Sequence, residues 1–209
     1  MDPQIDARRW FGAASDAAVS LVARVPDDAW ERPGLGEWTV RELVAHLLRA
    51  WTTVRDYLGE PRPADGTPLL TAAAYLAQGL LLPGIHEGVA DRARAEVGSL
   101  GADPAAAVRA VAGAARAVVD AEAGDRLLPT RIGPMRLDDY LRTRALELTL
   151  HGLDVCRATG LPVPADLEAC TVPALVLLAE VAGERGLATD LVEALGGRAV
   201  LAPGFTLLG

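Results

Sequence analysis

"RALELTLHGLDVC", running from Arg144 to Cys156, decides how the chain is read. Arg144, Glu147, His151 and Asp154 recur at spacings of three, four and three residues, which stacks them on nearly one face of an α-helix. The residues between them are mostly apolar, so the helix reads as buried. A buried carboxylate without a cation or a donor is costly, and this stripe therefore asks for a partner. Read outward, the helix begins near Leu137 and ends at Gly160, before Pro162.

Other helices can be laid out in the same way. Trp10, Ala13, Ala14, Ala17, Leu21 and Val22 recur at helical spacing over most of residues 3–25, and Pro26 closes that segment. Thr39 followed by Glu42 forms a capping box that opens a helix toward Leu58, with His46 two turns inside it. Residues 68–97 read as helix broken at Pro83 and Gly84. Asp103 and Pro104 start a further helix that Gly124 terminates. Four long helices with one apolar stripe each predict an all-α bundle over residues 1–164. Residues 165–209 read as a short appendage: an apolar helix split at Pro173, a short helix in "DLVEAL", and a strand-like end in "GGRAVLAPGFTLLG".

Composition agrees with this layout and excludes several functions. Of the 209 residues 51% are hydrophobic and only 4% aromatic, a mix that favours helices over a β-sandwich. The net charge of −8 argues against a nucleic-acid groove, which needs a clustered basic face. Every basic residue is Arg and Lys is absent, so Schiff-base and phosphate-loop lysine chemistry is excluded. Cys156 and Cys170 make no disulfide framework, and the start "MDPQIDARRW" does not resemble a signal peptide, so a reducing cytoplasm is the expected compartment. The uncharged stretch 66–85 approaches the length of a membrane span, but Pro68, Gly79, Pro83 and Gly84 interrupt it; it reads as core.

Glu147 and His151, four apart, can point at one ion, and His46 from another helix can complete a three-ligand set. Two imidazoles and a carboxylate suit Zn²⁺ with an open position, or the Fe²⁺ sites that use the same donors. Spacing alone leaves a second reading open, in which His46 is an ordinary core histidine and Glu147 pairs with Arg144.

The segment "RPGLGEWTVRELVAHLLRAW" resembles one signature of the mycothiol-dependent maleylpyruvate isomerase family, a branch of the DinB-like metalloproteins. "LDDYLRTRALELTLHGLDVCRATG" resembles its second. The resemblance covers roughly residues 5–160 and implies a four-helix DinB-like bundle with a divalent metal (Zn²⁺, or Fe²⁺ or Ni²⁺) on His46, Glu147 and His151. It further implies mycothiol as a low-molecular-weight thiol partner, and a small electrophilic substrate that is isomerised or accepts the sulfur. Trp38 matches the motif around the helix start. Asp154 matches an acid placed to accept an imidazole N–H, or else is a polar residue near a helix end. Arg144 is placed to hold a carboxylate of thiol or substrate, or else forms a surface salt bridge with Asp138 or Glu147. His86 matches no ligand position, and both cysteines read as packing. The isomerases also carry a larger C-terminal domain that contributes to the cleft, whereas only a short tail follows here, which opens the alternatives of a metal-water hydrolase or lyase and of a non-catalytic binding protein. The expected assembly is a monomer or homodimer, away from membranes and nucleic acid.

Overall fold

A computed structural model of the chain describes residues 6–64, 66–81 and 95–208. His86 and the break at Pro83 and Gly84 lie outside the described residues.

Four of the helices start where a side chain satisfies a free N–H group. Helix α1 (Ala7–Val22) is capped by Asp6, which accepts from the Arg9 amide. Helix α2 (Val40–Gly59) opens on the full Thr39–Glu42 capping box. Helix α3 (Ala72–Gly79) is capped by Thr71, and α4 (Pro104–Asp120) by Asp103 with Pro104 in the first turn. Helix α5 (Leu137–Thr159) ends at Gly160, whose φ of 74° only glycine adopts without strain.

Helices α1 and α2 each pack against both α4 and α5, which closes a four-helix bundle. Its centre holds Trp10, Leu21, Leu43, Trp51, Val108, Leu141 and Leu146, all 3% exposed or less. Among the described residues the fold is all-α apart from two short antiparallel hairpins and an isolated bridge between Leu70 and Met135. Strand β1 (Pro33–Leu35) pairs with β2 (Trp38–Thr39), and β3 (Leu127–Pro129) with β4 (Pro134–Arg136). The first runs directly into α2 and depends on Gly34, where a Cβ would sit 2.7 Å from the Thr39 carbonyl oxygen. Trp38 is thereby set one residue before the cap of the helix that carries His46.

The C-terminal region departs from the sequence reading in two respects. Its apolar helix divides at Cys170, between α6 (Ala165–Ala169) and α7 (Thr171–Glu184), and Pro173 lies inside the first turn of α7. Proline is tolerated there because a first-turn N–H has no helical acceptor to lose. The end of the chain is no strand either. After α8 (Ala188–Leu195), the Arg198 and Ala199 amides bond back to the Glu193 carbonyl and the Phe205 amide to Ala202, so the segment spends its hydrogen bonds on turns and finds no partner for a ladder. Leu167, Cys170, Leu177 and Val181 bury in the same core as the bundle, whereas α8 buries no residue. Helix α1, over 7–22, covers most of the span that periodicity predicts, whereas within 68–81 the helix is shorter than predicted and covers 72–79. No helix among the described residues is long and apolar enough to cross a membrane.

Candidate metal centre

Because α2 packs along α5, the one histidine on α2 comes to the Glu147–His151 stripe. One ligand-capable atom from each of His46, Glu147 and His151 lies within 4.8 Å of the other two. Glu147 Oε2 is 3.2 Å from His151 Nε2 and 3.8 Å from His46 Nε2. A tetrahedral ion with bonds of about 2.1 Å would separate its ligand atoms by about 3.4 Å, a value these distances bracket. The two imidazoles meet edge to face with centroids 4.9 Å apart. Trp38 leans on His46 from the hairpin at 5.0 Å.

His46 is not fully satisfied as a core histidine, since its Nε2 faces Glu147 but its buried Nδ1 has no hydrogen-bond partner among the described residues. Burial lowers its pKa and keeps the imidazole neutral, the form in which it can ligate. His151 is held differently. Burial alone would lower its pKa, but hydrogen bonds with Asp154 and Glu147 outweigh that and raise it to about 9. Burial would likewise raise the Glu147 carboxyl, yet His151, His46 and the Arg144 charge hold it well below the usual carboxylate range. An anion is thus kept next to two imidazoles in a partly buried place, and the donor set fits a divalent transition-metal ion.

The sequence-predicted neighbours are all at this site. Asp154 Oδ2 lies 3.1 Å from His151 Nδ1, while its Oδ1 accepts from Arg157 at 2.7 Å. With Nδ1 donating to Asp154, Nε2 is the nitrogen turned toward Glu147, and it is the one freed to ligate once its proton is displaced. Asp154→Asn is therefore expected to weaken divalent-metal binding about 10- to 100-fold while leaving the helical content unchanged; competition titration against a chelator measures it. Arg144 lies over the Tyr140 ring at 5.0 Å and donates from Nε to Thr143 Oγ1 at 3.0 Å. No carboxylate is within ion-pairing distance of its guanidinium among the described residues, so the salt bridge to Asp138 or Glu147 is not formed; Asp138 pairs with Arg8 instead.

Trp38, Arg144, Asp154 and the triad share the lining of one cavity of about 590 Å³. Sequence reasoning missed several of its walls. Arg49, Thr53 and Tyr57 continue the His46 face of α2 at spacings of three, four and four, and Tyr140 precedes Arg144 by four on α5; the periodicity that found the ligands contained them. Tyr140 donates to Thr53 Oγ1 at 2.7 Å, and Thr53 to the Arg49 carbonyl at 2.6 Å, which ties the two helices together beside the site. Tyr75 on α3 and Leu208 near the end of the chain also line it, and no local pattern announced either.

Residues 11–156 match the family model described as the mycothiol maleylpyruvate isomerase N-terminal domain. The chain belongs to that family. The matched span contains all three candidate ligands, Arg144 and Asp154, and stops short of the C-terminal helices. The family's name carries both a thiol, mycothiol, and a reaction, the isomerisation of maleylpyruvate. No curated protein and no solved structure matches the chain.

Proposed function

We propose that His46, Glu147 and His151 hold one divalent metal ion, Zn²⁺ before Fe²⁺ or Ni²⁺, and that the chain is an enzyme acting with mycothiol on a small electrophile. The observation that carries this reading is the convergence of the three donors in a cavity that also presents Arg144, in a chain of this family. When bound, the ion would supply Lewis acidity that favours thiolate over thiol at neutral pH. Asp154 fixes the His151 tautomer, Trp38 packs on the His46 ring, and Arg144 is placed to receive a carboxylate of thiol or substrate. The protein's own cysteines are poor nucleophiles, because both are buried and burial raises their thiols. A thiol brought in as a ligand fills that role, and the reaction class is cis–trans isomerisation or S-transfer. We also assign the metal chemistry to residues 1–164, with 165–209 as an appendage, in a cytoplasmic monomer or homodimer that binds neither nucleic acid nor membrane.

Cobalt substitution tests the thiol. Adding mycothiol to the Co²⁺ protein at pH 7 should produce a sulfur-to-metal charge-transfer band, well below the pH of about 8.5 at which a free thiol ionises. Arg144→Ala should weaken that response without emptying the metal site. A spectrum unchanged by millimolar mycothiol, glutathione or bacillithiol would remove the thiol and leave metal-water hydrolysis as the better account.

A further inference from the structure

The cavity that holds the three donors is closed in part by a residue remote from them in sequence. Leu208 lines it and packs against the hydrophobic core, although it lies more than fifty residues beyond His151 and outside the span that matches the family. The approach is fastened. Arg185, just past α7, donates to the Thr206 carbonyl at 3.2 Å, and the Leu208 amide donates to Thr206 Oγ1 at 3.1 Å. The Phe205 amide bonds to the Ala202 carbonyl at 3.0 Å and turns the chain ahead of this anchor. Residues 196–208 contain no helix or strand, yet Leu201, Phe205, Leu207 and Leu208 are each partly buried, with Ala202, Pro203 and Gly204 exposed between them. Val200 is 95% exposed, but from Leu201 on, an irregular segment that partly buries its large apolar side chains and exposes the small residues between them is docked by hydrophobic burial, not trailing in solvent.

The lining of the cavity is chemically mixed. The triad and Arg144 are polar, whereas Leu35, Leu153 and Leu208 present apolar surface. Leu35 is 36% exposed, so apolar lining extends to where the cavity meets solvent. A ligand bound at the polar residues must fit its remaining bulk against apolar walls, and discrimination by such walls depends on methylene-scale differences in shape.

We propose that Leu208, carried on the docked C-terminal segment 201–208, is a wall of the metal-centre cavity and a specificity-determining residue, limiting the bulk of ligand that reaches His46, Glu147 and His151. The limit is steric: a γ-branched side chain held by a fastened backbone excludes what an alanine would admit. The inference needs only the cavity and the docked segment. It does not depend on which ion or which thiol the site takes.

Two measurements on the full chain test it. Three of the four tryptophans, Trp10, Trp30 and Trp51, are 9% exposed or less, so acrylamide quenching of the metal-free protein reports chiefly on Trp38 in the cavity, and Trp38→Phe confirms the source. Both Leu208→Ala and Arg185→Ala should raise the quenching constant, the second because it unfastens the segment without touching the lining. In the Co²⁺ protein, visible spectra give the affinities of imidazole and of the bulkier 4-phenylimidazole. The preference for imidazole should shrink about tenfold in Leu208→Ala and widen in Leu208→Phe. Unchanged quenching together with an unchanged affinity ratio would overturn the proposal. If the wild-type chain binds no cobalt, the metal reading fails separately and quenching alone decides whether the segment is a wall.

Discussion

His151→Ala protein is expected to bind Zn²⁺ at least tenfold more weakly than the wild type, and His46→Ala to fall by a comparable factor, because each removes one of three protein donors. Elemental analysis of the reloaded wild type should return about one ion per chain. Protein that holds none of Zn²⁺, Fe²⁺ or Ni²⁺ above background would refute the site. The proton balance gives an independent check. In the metal-free chain the His151 pKa is raised to about 9 and that of His46 is lowered, so at pH 7 His151 carries a proton that an ion must displace and His46 does not. Metal uptake should therefore release about one proton at pH 7, and affinity should climb with pH until it levels near 9. Calorimetry in buffers of different ionisation enthalpy measures that proton. The helices should be indifferent to the ion, since the bundle core is apolar and includes none of the three ligands. A chelated sample should keep its far-ultraviolet helical signal.

Trp51→Ala should cost about 3–5 kcal/mol of folding stability, the largest loss we expect from one substitution in the core. Trp51 is fully buried on α2, and its Nε1 donates to Ser15 Oγ on α1 at 3.0 Å, so truncation removes a large apolar surface and a bond between two helices. Ser15→Ala, which leaves the indole N–H buried and unpaired, should cost about 1–3 kcal/mol. Urea unfolding followed by circular dichroism separates the two, with the midpoint lowered and the slope kept. A loss below about 1 kcal/mol for Trp51→Ala would show that α1 and α2 do not share the core described. The same helix carries His46, so metal binding by Trp51→Ala should weaken only as far as α2 loosens.

How legible this protein was depended on the range of the forces involved. Caps are local: Thr39 with Glu42, Asp103 with Pro104, and Gly160 each act within a turn of their own position, and each does in the structure what its neighbours in sequence imply. The Glu147–His151 stripe is equally local, and the likeness of two short motifs supported His46 as the third donor before any packing was known. The tail shows the converse. "GGRAVLAPGFTLLG" has the residues of a strand, but a strand exists only where another offers it a ladder, and here the backbone turns back on α8.

By itself, then, the sequence determined the helical periodicity, the positions of the major caps and the family, and it put the three candidate donors on two helical faces. Tertiary structure decided the rest. It brought the donors within 4.8 Å of one another, left His46 Nδ1 without a partner among the described residues and laid Arg144 on the Tyr140 ring. It also made Leu208 part of the wall around a site whose ligands lie far away in the chain. Contacts of this kind are set by which surfaces the packed bundle leaves open, and hydrophobic burial recognises area and shape without regard to sequence separation.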